Sequence, residues 1–437
     1  MRRGRIAEVL LARFGGGVHP AGCKQYSREK EIGRLPDPKE VWVPLSQHIG
    51  APAVPAVQAG QRVLRGQLIG RAAEGLSANV FSPVAGTVKS IVTHITFAGK
   101  KTEHVLIEND FSDEHTALAP LAERTPESVL ARIAEAGIVG MGGAGFPTAV
   151  KLNVRGKVDT LLINGAECEP YITCDDRLMR EYAAEIAAGA ELCRLACGAQ
   201  RVIIGVEKNK PEAIAALTPF CKGNIVLQKL RTRYPQGAEK QFIRSCTGRT
   251  VGEGELPADA GVVVINAHTA YAVWAACEKG EPCYERVMTV SGGAVERPAN
   301  LWVKNGTPLR EIADHCGAHE ECGRIVSGGP MMGDAVFSLK ICAKKTTSAL
   351  LFLSKEEAET NKSSVCIGCG KCVQACPMGL SPTFIEEALL AKNYAEAKRY
   401  GAPACIGCGC CSYVCPAKRY LAQGVKLAKK IISERGI

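Results

Sequence analysis

The chain has 437 residues, of which 46% are hydrophobic and 5% aromatic, and its formal net charge is +10. This length exceeds one hydrophobic core, so we expect roughly two to four domains, and the apolar content excludes a disordered chain. No basic and aromatic patch is found, so nucleic acid is not expected as a partner. The charge leaves two interpretations open: a mildly basic solvated surface, or a basic face for an acidic partner or an anionic membrane.

The 21 cysteines are the most informative part of the composition. The basic start MRRGRIAEVLLARF holds only a short apolar run, broken at Arg13, so it does not predict a secretory signal. Clustered cysteines in that context indicate metal binding rather than disulfides. Four scattered cysteines are predicted to be small buried side chains: Cys23, Cys193, Cys221 and Cys316.

Residues 1–110 are predicted to form the first domain. The first forty residues look like loop, and residues 41–110 show short Val/Ile runs between glycines and prolines, which is typical of a small sandwich. The segments AGQRVLRGQLIG and SPVAGTVKSI resemble the barrel-sandwich domains that carry lipoyl and biotinyl groups. In those domains a lysine at the hairpin tip carries the cofactor, whereas the tip here reads PVAG. We therefore expect this fold to serve only as a scaffold.

Residues 111–284 alternate between helix and strand, which predicts a parallel sheet with helical crossovers and ligands at the strand ends. The predicted strands are residues 158–166, 201–207, 224–230 and 261–266, and the predicted helices are residues 127–137, 176–196 and 210–217. Residues 260–277 carry no charge and reach the lower length limit of a membrane span. Because polar residues interrupt them, we predict a buried strand, a polar loop and a helix start, and no span.

The rest of the chain divides into two predicted domains. Residues 285–354 return to short strands and predict a β-grasp module, and residues 355–437 are helical and rich in cysteine. Within the latter, residues 382–401 predict one or two helices. The fold class is therefore multidomain α/β and β, with a barrel-sandwich-like domain, an α/β domain, a β-grasp module and a helical dicluster domain.

Two C-x2-C-x2-C-x3-C-P motifs lie in the last domain. Three thiolates at this spacing wrap one compact cluster, and the fourth normally ligates the other cluster. We therefore predict one [4Fe–4S] cluster on Cys366, Cys369, Cys372 and Cys415, and a second on Cys405, Cys408, Cys411 and Cys376. Structural zinc is disfavoured, since zinc sites usually pair two cysteines with two more. The additional Cys410 is predicted to be an inert neighbour rather than a substitute ligand.

An apolar stripe follows the second motif, with lysines beside it: Leu421, Val425, Ala428 and Ile432. It predicts a helix packed on the clusters. The alternative is a basic amphipathic dock for a membrane partner.

The glycine-rich stretch GIVGMGGAGFPTAVKL raises the question of a nucleotide site. Gly140, Gly142 and Gly145 satisfy G-x-G-x-x-G, but that fingerprint needs a strand before it and a helix directly after it. Here the preceding residues look helical, and Pro147 follows. A dinucleotide loop of this type is therefore disfavoured, and a plain flexible turn does not account for Phe146, Pro147 and Lys151.

The same stretch, together with NGAECEP at residues 164–170, resembles the flavin loop of the NADH-oxidising subunit of respiratory complex I. The resemblance implies that backbone N–H groups of the loop approach the FMN phosphate, with a lysine near it and a phenylalanine against the nicotinamide nucleotide. It also implies that the asparagine and first glutamate of NGAECEP bind flavin and that the second glutamate touches NADH. The residues so implied are Gly140, Gly142, Gly143, Gly145, Phe146, Lys151, Asn164, Glu167 and Glu169. Ala166 replaces an aspartate of that family.

Blocks along nearly the whole chain resemble the C subunits of the Rnf complex, an ion-translocating ferredoxin:NAD oxidoreductase. They are FGGGVHP, PLSQHIGAPA, VGMGGAGFPTAVKL, INGAECEPYITCDDRLM, YPQGAEKQ, TAYAV, SGGPMMG and both cysteine motifs. The resemblance implies FMN and NAD(H) sites, a β-grasp module of the SLBB type and peripheral attachment to a membrane arm. Asn266 and Thr269 would be further flavin contacts, although INAHT departs from the common QNVGT, and ICAKKTTSALL departs from the usual KGTSG pattern.

The function expected from this resemblance is hydride exchange between NAD(H) and FMN, followed by single-electron steps through the two clusters. Partner subunits would include an iron–sulfur subunit that accepts electrons from ferredoxin, and the location would be the cytoplasmic face of the inner membrane. No protein acid or base is obligatory. A corrin reductase of microcompartments and a non-enzymatic electron relay are the alternatives. Glu167 and Glu169 could instead be exposed loop acids, and three histidines are predicted to be surface or capping residues: His19, His48 and His268.

Overall fold

The computed structural model describes residues 14–97, 99–319, 321–359 and 362–437. The N-terminal segment of the first predicted domain contributes β1 (Ile32–Arg34), and Arg13 lies outside the described residues. Seven strands follow: β2 (Glu40–Pro44), β3 (Val54–Pro55), β4 (Arg62–Val63), β5 (Leu68–Arg71), β6 (Val80–Phe81), β7 (Gly86–Ile95) and β8 (Lys101–Asn109). They form two small sheets, in the orders β2-β8-β7-β4 and β3-β5-β6, around a core of valines and isoleucines. The hairpin tip at residues 83–86 is buried, which agrees with a scaffold rather than a swinging arm.

The α/β part follows, and its sheet is fully parallel. Its elements are α1 (Pro126–Glu135), α2 (Thr148–Leu152), β9 (Thr160–Gly165), α3 (Cys174–Glu181), α4 (Ala183–Cys197), β10 (Arg201–Glu207), α5 (Pro211–Leu217), β11 (Ile225–Leu230), α6 (Glu239–Thr247), β12 (Val262–Asn266) and α7 (Ala267–Trp274). The strand order is β11-β10-β9-β12. The chain therefore moves outward from β9 to β11 and then crosses back to the other side of β9, so the order reverses between β9 and β12.

Two predictions in this region are wrong in detail. The helix predicted over residues 176–196 is two helices, because Tyr182 has a non-helical backbone (φ −128°, ψ 40°) between α3 and α4. The polar loop predicted within residues 260–277 is absent, because Asn266 ends β12 and caps α7 at once. Its side-chain oxygen accepts a hydrogen bond from the backbone N–H of His268 at 2.9 Å. One polar residue thus takes the place of the predicted loop.

The next elements form a mixed sheet with one helix. They are β13 (Glu285–Ser291), β14 (Ala299–Lys304), α8 (Leu309–Cys316), β15 (Arg324–Ser327), β16 (Asp334–Ala335) and β17 (Ala349–Leu353). The strand order is β1-β14-β13-β17-β15-β16, so β1 from the start of the chain pairs in parallel with β14. A segment that we assign to the first domain therefore completes the sheet of the third. The domain limits at residues 110, 284 and 354 stay a prediction.

The last part is helical, with short helices around the cysteines: α9 (Lys371–Ala375), α10 (Pro382–Leu390), α11 (Tyr394–Arg399), α12 (Cys410–Tyr413) and α13 (Leu421–Arg435). The apolar stripe of α13 is buried, with Val425, Ala428 and Ile432 packed into the core made with α10 and α11. This agrees with a packed helix, and the stripe itself is not available for the alternative, a membrane dock. Among the described residues, no helix is long and apolar enough to cross a membrane.

The scattered cysteines and histidines have mixed outcomes. Cys193, Cys221 and Cys316 are buried as predicted, whereas Cys23 is only partly buried. His19 is exposed and His48 is half-buried, but His268 is 1% exposed. The prediction of a surface or capping role for His268 is wrong, because its ring packs edge-on against Trp302 in the core. Burial lowers the pKa of His268 well below its usual range.

Candidate functional site

The carboxyl ends of β9 and β12 form the centre of the candidate site. Asn164 and Asn266 are register partners at these two ends. In open parallel sheets, ligands bind in the crevice outside the strand ends where the strand order reverses. The strand order reverses between β9 and β12, so the topology of the sheet predicts a ligand site at the carboxyl ends of these two strands.

The glycine loop lies against this crevice. The backbone N–H of Met141 donates to Thr269 Oγ1 at 3.0 Å, at the first turn of α7. A Cβ atom at Gly142 would lie 2.9 Å from the side chain of Asn266, so only glycine fits the close approach there. Gly142 and Gly143 are exposed, and Gly143 has open space around it. The loop thus offers bare backbone beside the strand ends, which suits the approach of a phosphate group.

Phe146 and Lys151 follow the loop on its far side. Phe146 is half-buried, and its carbonyl oxygen accepts from the backbone N–H of Gly140 at 2.9 Å, which closes the loop. Lys151 Nζ lies 2.7 Å from Glu239 Oε1 of α6, and both side chains are partly exposed. A phosphate held by Lys151 would share this lysine with Glu239.

Two buried cations, which no sequence motif indicates, support the glycine loop from below. Arg286 is 1% exposed and donates through Nη1 to the carbonyl oxygens of Met141 (3.0 Å) and Lys345 (2.8 Å). Lys345 is fully buried and donates through Nζ to the carbonyl oxygens of Asn79 and Gly137, each at 2.7 Å. Neither forms an ion pair among the described residues, and burial lowers the pKa of Lys345. The Arg286 guanidinium holds a positive charge beside the loop and also interacts with the buried Asp175, whose pKa it lowers against the stronger effect of burial. A cation at this place favours an anion above the loop.

Asn164 and Asn266 use their side chains to tie loops together. Asn164 Nδ2 donates to the carbonyl oxygen of Gly237 at 2.8 Å, and its Oδ1 accepts from the N–H of Ala166 at 3.1 Å. Asn266 Nδ2 donates to Asp175 Oδ2 at 2.6 Å. The motif INGAECEP, the segment YPQGAEKQ and α3 are thereby held around one crevice.

Glu167 caps a helix in this structure. Its Oε1 accepts from the backbone N–H of Asp175 at 2.7 Å and its Oε2 from that of Asp176 at 3.3 Å, at the start of α3. Lys24 Nζ lies 3.8 Å from Glu167 Oε2 and also donates to the carbonyl oxygens of Glu167 and Glu169. Burial raises the pKa of Glu167 to about 7, although Lys24 opposes this rise. Glu167 is 4% exposed in its side chain, so it is not an exposed loop acid.

Glu169 joins three segments of the chain. Its Oε2 accepts from the backbone N–H of Met331 at 3.1 Å, in SGGPMMG, and its Oε1 lies 3.3 Å from the hydroxyl of Tyr234, in YPQGAEKQ. Burial raises the pKa of Glu169 to about 7. Three blocks far apart in sequence therefore meet at one carboxylate.

The eight motif cysteines are described below in the two groups that the sequence predicts. We call Cys376, Cys405, Cys408 and Cys411 the inner set, and Cys366, Cys369, Cys372 and Cys415 the outer set. All four inner cysteines and the additional Cys410 line one cavity, whose wall is completed by apolar side chains such as Leu380 and Val425. Cys372 and Cys415 of the outer set pack into one small apolar cluster with Leu421, and Cys411 of the inner set packs against the same cluster. Thiols around an apolar cavity are the donors that an iron–sulfur cluster needs, so the inner set fits such a cluster.

The two sets differ in burial at one position. Cys408 of the inner set and Cys415 of the outer set are 7% and 8% exposed, and the additional Cys410 is fully buried, whereas Cys369 of the outer set is exposed. Two lysines of α13 approach the inner loop: Lys429 Nζ donates to the carbonyl oxygen of Cys405 at 2.8 Å, and Lys426 packs over Gly407.

The inner set adjoins the crevice of the α/β part. The hydroxyl of Tyr234, which contacts Glu169, also donates to the carbonyl oxygen of Cys408 at 2.8 Å. Gln241 Nε2 donates to the carbonyl oxygen of Pro377 at 3.3 Å. Gly16 fits against the same loop, because a Cβ there would lie 2.5 Å from the carbonyl oxygen of Cys376. The block FGGGVHP therefore packs against the segment that carries Cys376. Its sequence did not indicate this role.

Four known family models match the chain in order. They are the RnfC barrel sandwich hybrid domain (residues 12–112), the Nuo51 FMN-binding domain (133–275), the SLBB domain (287–335) and the 4Fe-4S dicluster domain (359–416). These matches confirm the predicted fold class.

Three relatives match over most of the chain. The C subunit of the ion-translocating oxidoreductase complex of Rhodobacter capsulatus is 44% identical, covering 96% of this chain and 83% of that protein. Its counterpart in the proton-translocating ferredoxin:NAD(+) oxidoreductase complex of Clostridium ljungdahlii is 43% identical, covering 86% and 84%. The counterpart in the Na(+)-translocating ferredoxin:NAD(+) oxidoreductase complex of Acetobacterium woodii is 41% identical, covering 97% and 98%.

Among solved structures, an NAD+-reducing [NiFe]-hydrogenase in the H2-reduced state is similar in fold. Its TM-score is 0.52 at 18% sequence identity, and the match covers 72% of this chain and 63% of that chain. The present chain thus spans just under two thirds of that hydrogenase chain, and the likeness is one of fold alone.

Proposed function

The chain belongs to the family of C subunits of the ion-translocating oxidoreductase (Rnf) complex, and from that premise we propose that it exchanges hydride between NAD(H) and FMN and passes single electrons through two [4Fe–4S] clusters. It is an oxidoreductase subunit with an FMN-binding domain and a dicluster domain. Coupling to ion translocation is assigned to the partner subunits of the complex.

The crevice of the α/β part would hold the flavin and the nucleotide. FMN, when bound, supplies the exchange between the two-electron chemistry of nicotinamide and the one-electron chemistry of iron–sulfur clusters. We assign the phosphate to the backbone of the glycine loop, with Lys151 as a charge beside it and Arg286 and Lys345 as buried support. Support for this assignment comes from the bare backbone at Gly142 and Gly143 and from the Arg286 guanidinium, which contacts the carbonyl oxygen of Met141 in the loop.

The remaining site residues are assigned to positioning. Asn164, Asn266 and Thr269 would fix the loops around the flavin, because each already hydrogen-bonds a loop of the crevice. Glu167 would act through α3, which it caps. Glu169 would position NAD(H) rather than act as a base, because its carboxylate is engaged by Tyr234 and by the N–H of Met331.

The inner set would bind the cluster nearer to the flavin, and the outer set would bind the second. The observation that carries the proposal is the contact chain from Glu169 through the hydroxyl of Tyr234 to the carbonyl oxygen of Cys408. It joins the crevice directly to the inner set, so the nucleotide site and the first cluster would form one continuous unit. Cys410 is assigned no ligand role.

The chain would lie peripherally at the cytoplasmic face of the inner membrane, held by partner subunits of the complex. Those partners would include an iron–sulfur subunit that accepts electrons from ferredoxin. Support comes from the names of the relatives, whose complexes translocate protons or sodium ions and act as ferredoxin:NAD(+) oxidoreductases. All three relatives belong to oxidoreductase complexes of this kind, which favours this function over a corrin reductase.

The test is an anaerobic titration of the purified full chain. We expect about eight irons and one FMN per chain, and we expect NADH to bleach the flavin absorbance and then the broad cluster absorbance. Full iron and flavin contents without any reduction by NADH would contradict the proposal and favour an electron relay. Iron for only one cluster would contradict the two-cluster assignment.

A further inference from the structure

The loop of the outer set carries an unusual surface. Val365 is 83% exposed and Ile367 is 70% exposed, and these are the two most exposed large apolar side chains in the part of the chain that the structure describes. They flank Cys366, a thiol of the outer set. Burying such side chains is favourable, by about 25 cal/mol per Å² of apolar surface, so an exposed pair beside a redox site indicates a contact surface.

Neighbouring segments extend this surface. The N–H of Ser364 donates to the carbonyl oxygen of Ala417 at 2.9 Å, and Cys366 Sγ lies 3.7 Å from Thr383 Oγ1. These two contacts bring Lys418 and Phe384, the next residues along each segment, to the rim of the loop. Phe384 is 49% exposed, so a third large apolar side chain borders the outer set.

The charge around this surface has one dominant sign. Lys362, Lys371 and Lys418 are exposed, and within the described ranges none of them pairs with an acid. Glu386 is nearby but is held by Arg419 at 2.7 Å, and Glu387 is the exposed acid of the same turn. We call Val365, Ile367, Phe384, Lys362, Lys371 and Lys418 the outer patch. It has an apolar centre, a basic rim and a thiol of the outer set between them.

We propose that the outer patch docks a redox protein whose contact face is acidic around an apolar centre and which carries its own one-electron centre. This inference rests on the proposed function. In the docked complex the cluster that the outer set would hold would lose one electron, and the partner centre would gain it. The reverse transfer balances in the same way, and no bond or proton is involved. Opposite charges steer the encounter, while a small apolar contact lets the partner leave again.

An anionic membrane surface is the other occupant that lysines and apolar side chains suit. The protein partner is favoured because a cluster ligand lies within the patch, and a lipid accepts no electron. The apolar stripe of α13, which a membrane would require, is already buried.

The test uses the full chain loaded with iron and flavin, and a reduced acidic plant-type [2Fe–2S] ferredoxin as the probe. The rate of NAD+ reduction is measured against probe concentration and salt. We expect Lys371→Glu and Lys362→Glu each to lower the second-order rate at least tenfold, and we expect the wild-type rate to fall with salt. Lys222→Glu, at an exposed lysine of the α/β part, is the matched control. It should change neither the second-order rate nor its dependence on salt.

Two further readouts make the outcome decisive. Iron content and the reduction of flavin and clusters by NADH are measured in each variant, and both should equal the wild type. If NADH fails to reduce the wild type, the proposed function fails. If NADH reduces it but the two reversals leave the probe rate unchanged, the docking inference is overturned. Loss of binding to vesicles of anionic lipid in the reversals, with an unchanged probe rate, would overturn it in favour of the membrane.

Discussion

The two cysteine motifs are nearly identical in sequence but lie in different surroundings. The inner set lines a cavity closed by apolar side chains, and its loop contacts Tyr234, Gln241 and Gly16. The outer set has an exposed Cys369, and exposed Val365 and Ile367 border it. Spacing alone makes the two sets equivalent, so the difference comes from what the rest of the chain packs against each loop.

We propose that this difference gives the two sets separate tasks. A cluster that receives electrons from the flavin must be fixed close to the crevice and shielded from other reactants. A cluster that exchanges electrons with a partner must be reachable from outside. The inner set meets the first requirement and the outer set the second, so the proposed spatial order of the centres is the crevice, the inner set and then the outer set.

The largest effect is expected on removing an inner ligand. Cys408→Ser should lower the iron content to about half, because one cluster is lost, and should abolish the NADH-driven bleaching of the remaining one. Iron analysis and visible spectra check both. Cys410→Ser is the matched control, since we assign no ligand role to this buried neighbour, and it should keep full iron. Loss of a cluster in Cys410→Ser would contradict the assignment of the inner set.

Removing an outer ligand should give a different phenotype from the same iron loss. Cys369→Ser should also lower the iron content to about half, but NADH should still bleach the flavin and one cluster. Transfer to an external protein acceptor should be lost. If Cys369→Ser and Cys408→Ser behave alike towards NADH, the distinction between inner and outer sets is wrong.

A smaller effect is expected at the contact between the crevice and the inner loop. Tyr234→Phe removes the hydroxyl that lies between Glu169 and the carbonyl oxygen of Cys408. The free energy of unfolding should fall by about 1 kcal/mol for the lost hydrogen bond, as measured by chemical denaturation. NADH-driven cluster reduction should slow about tenfold or less, with flavin reduction unchanged.

Tyr413→Phe is the control for this change, because Tyr413 lies in the second motif and is 50% exposed. Tyr413→Phe should leave both the free energy of unfolding and the rate of NADH-driven cluster reduction unchanged. Equal effects of the two substitutions would show that the Tyr234 contact has no special part in electron transfer.

The smallest effect is expected on the potential of the inner cluster. Lys429 donates to the carbonyl oxygen of Cys405, so Lys429→Ala removes a positive charge beside the inner loop. A lost cation disfavours the reduced, more negative cluster, and the inner midpoint potential should fall by roughly tens of millivolts. A redox titration followed by electron paramagnetic resonance measures it. Lys430→Ala, whose lysine faces Glu434 instead, should leave the potential unchanged.

Local spacing and alternation encode the features that are predictable from the sequence. The grouping of the thiols into two sets stays a prediction, whereas β10 is predicted at its observed limits because a buried parallel strand appears as a continuous apolar run. The break at Tyr182 is not predictable in this way, since no proline or glycine marks it. The pairing of β1 with β14 is a long-range contact that no local pattern carries.

The site shows the same limit. The resemblance selects the glycine loop and NGAECEP, but the supports of these segments come from elsewhere in the chain. Lys24, Arg286 and Lys345 act through backbone carbonyl oxygens, and such contacts leave no motif of complementary charges to find. The burial of Glu167 against α3 likewise depends on where that helix begins, which is two residues earlier than the sequence predicts.

The order of the two clusters can be tested most directly by rapid mixing. The full chain is mixed with NADH, and cluster reduction is followed by freeze-quench electron paramagnetic resonance in the wild type, in Cys369→Ser and in Cys408→Ser. We predict that Cys369→Ser reduces its remaining cluster as fast as the first phase of the wild type, and that Cys408→Ser leaves its remaining cluster oxidised. Fast reduction in Cys408→Ser, with none in Cys369→Ser, would contradict this order.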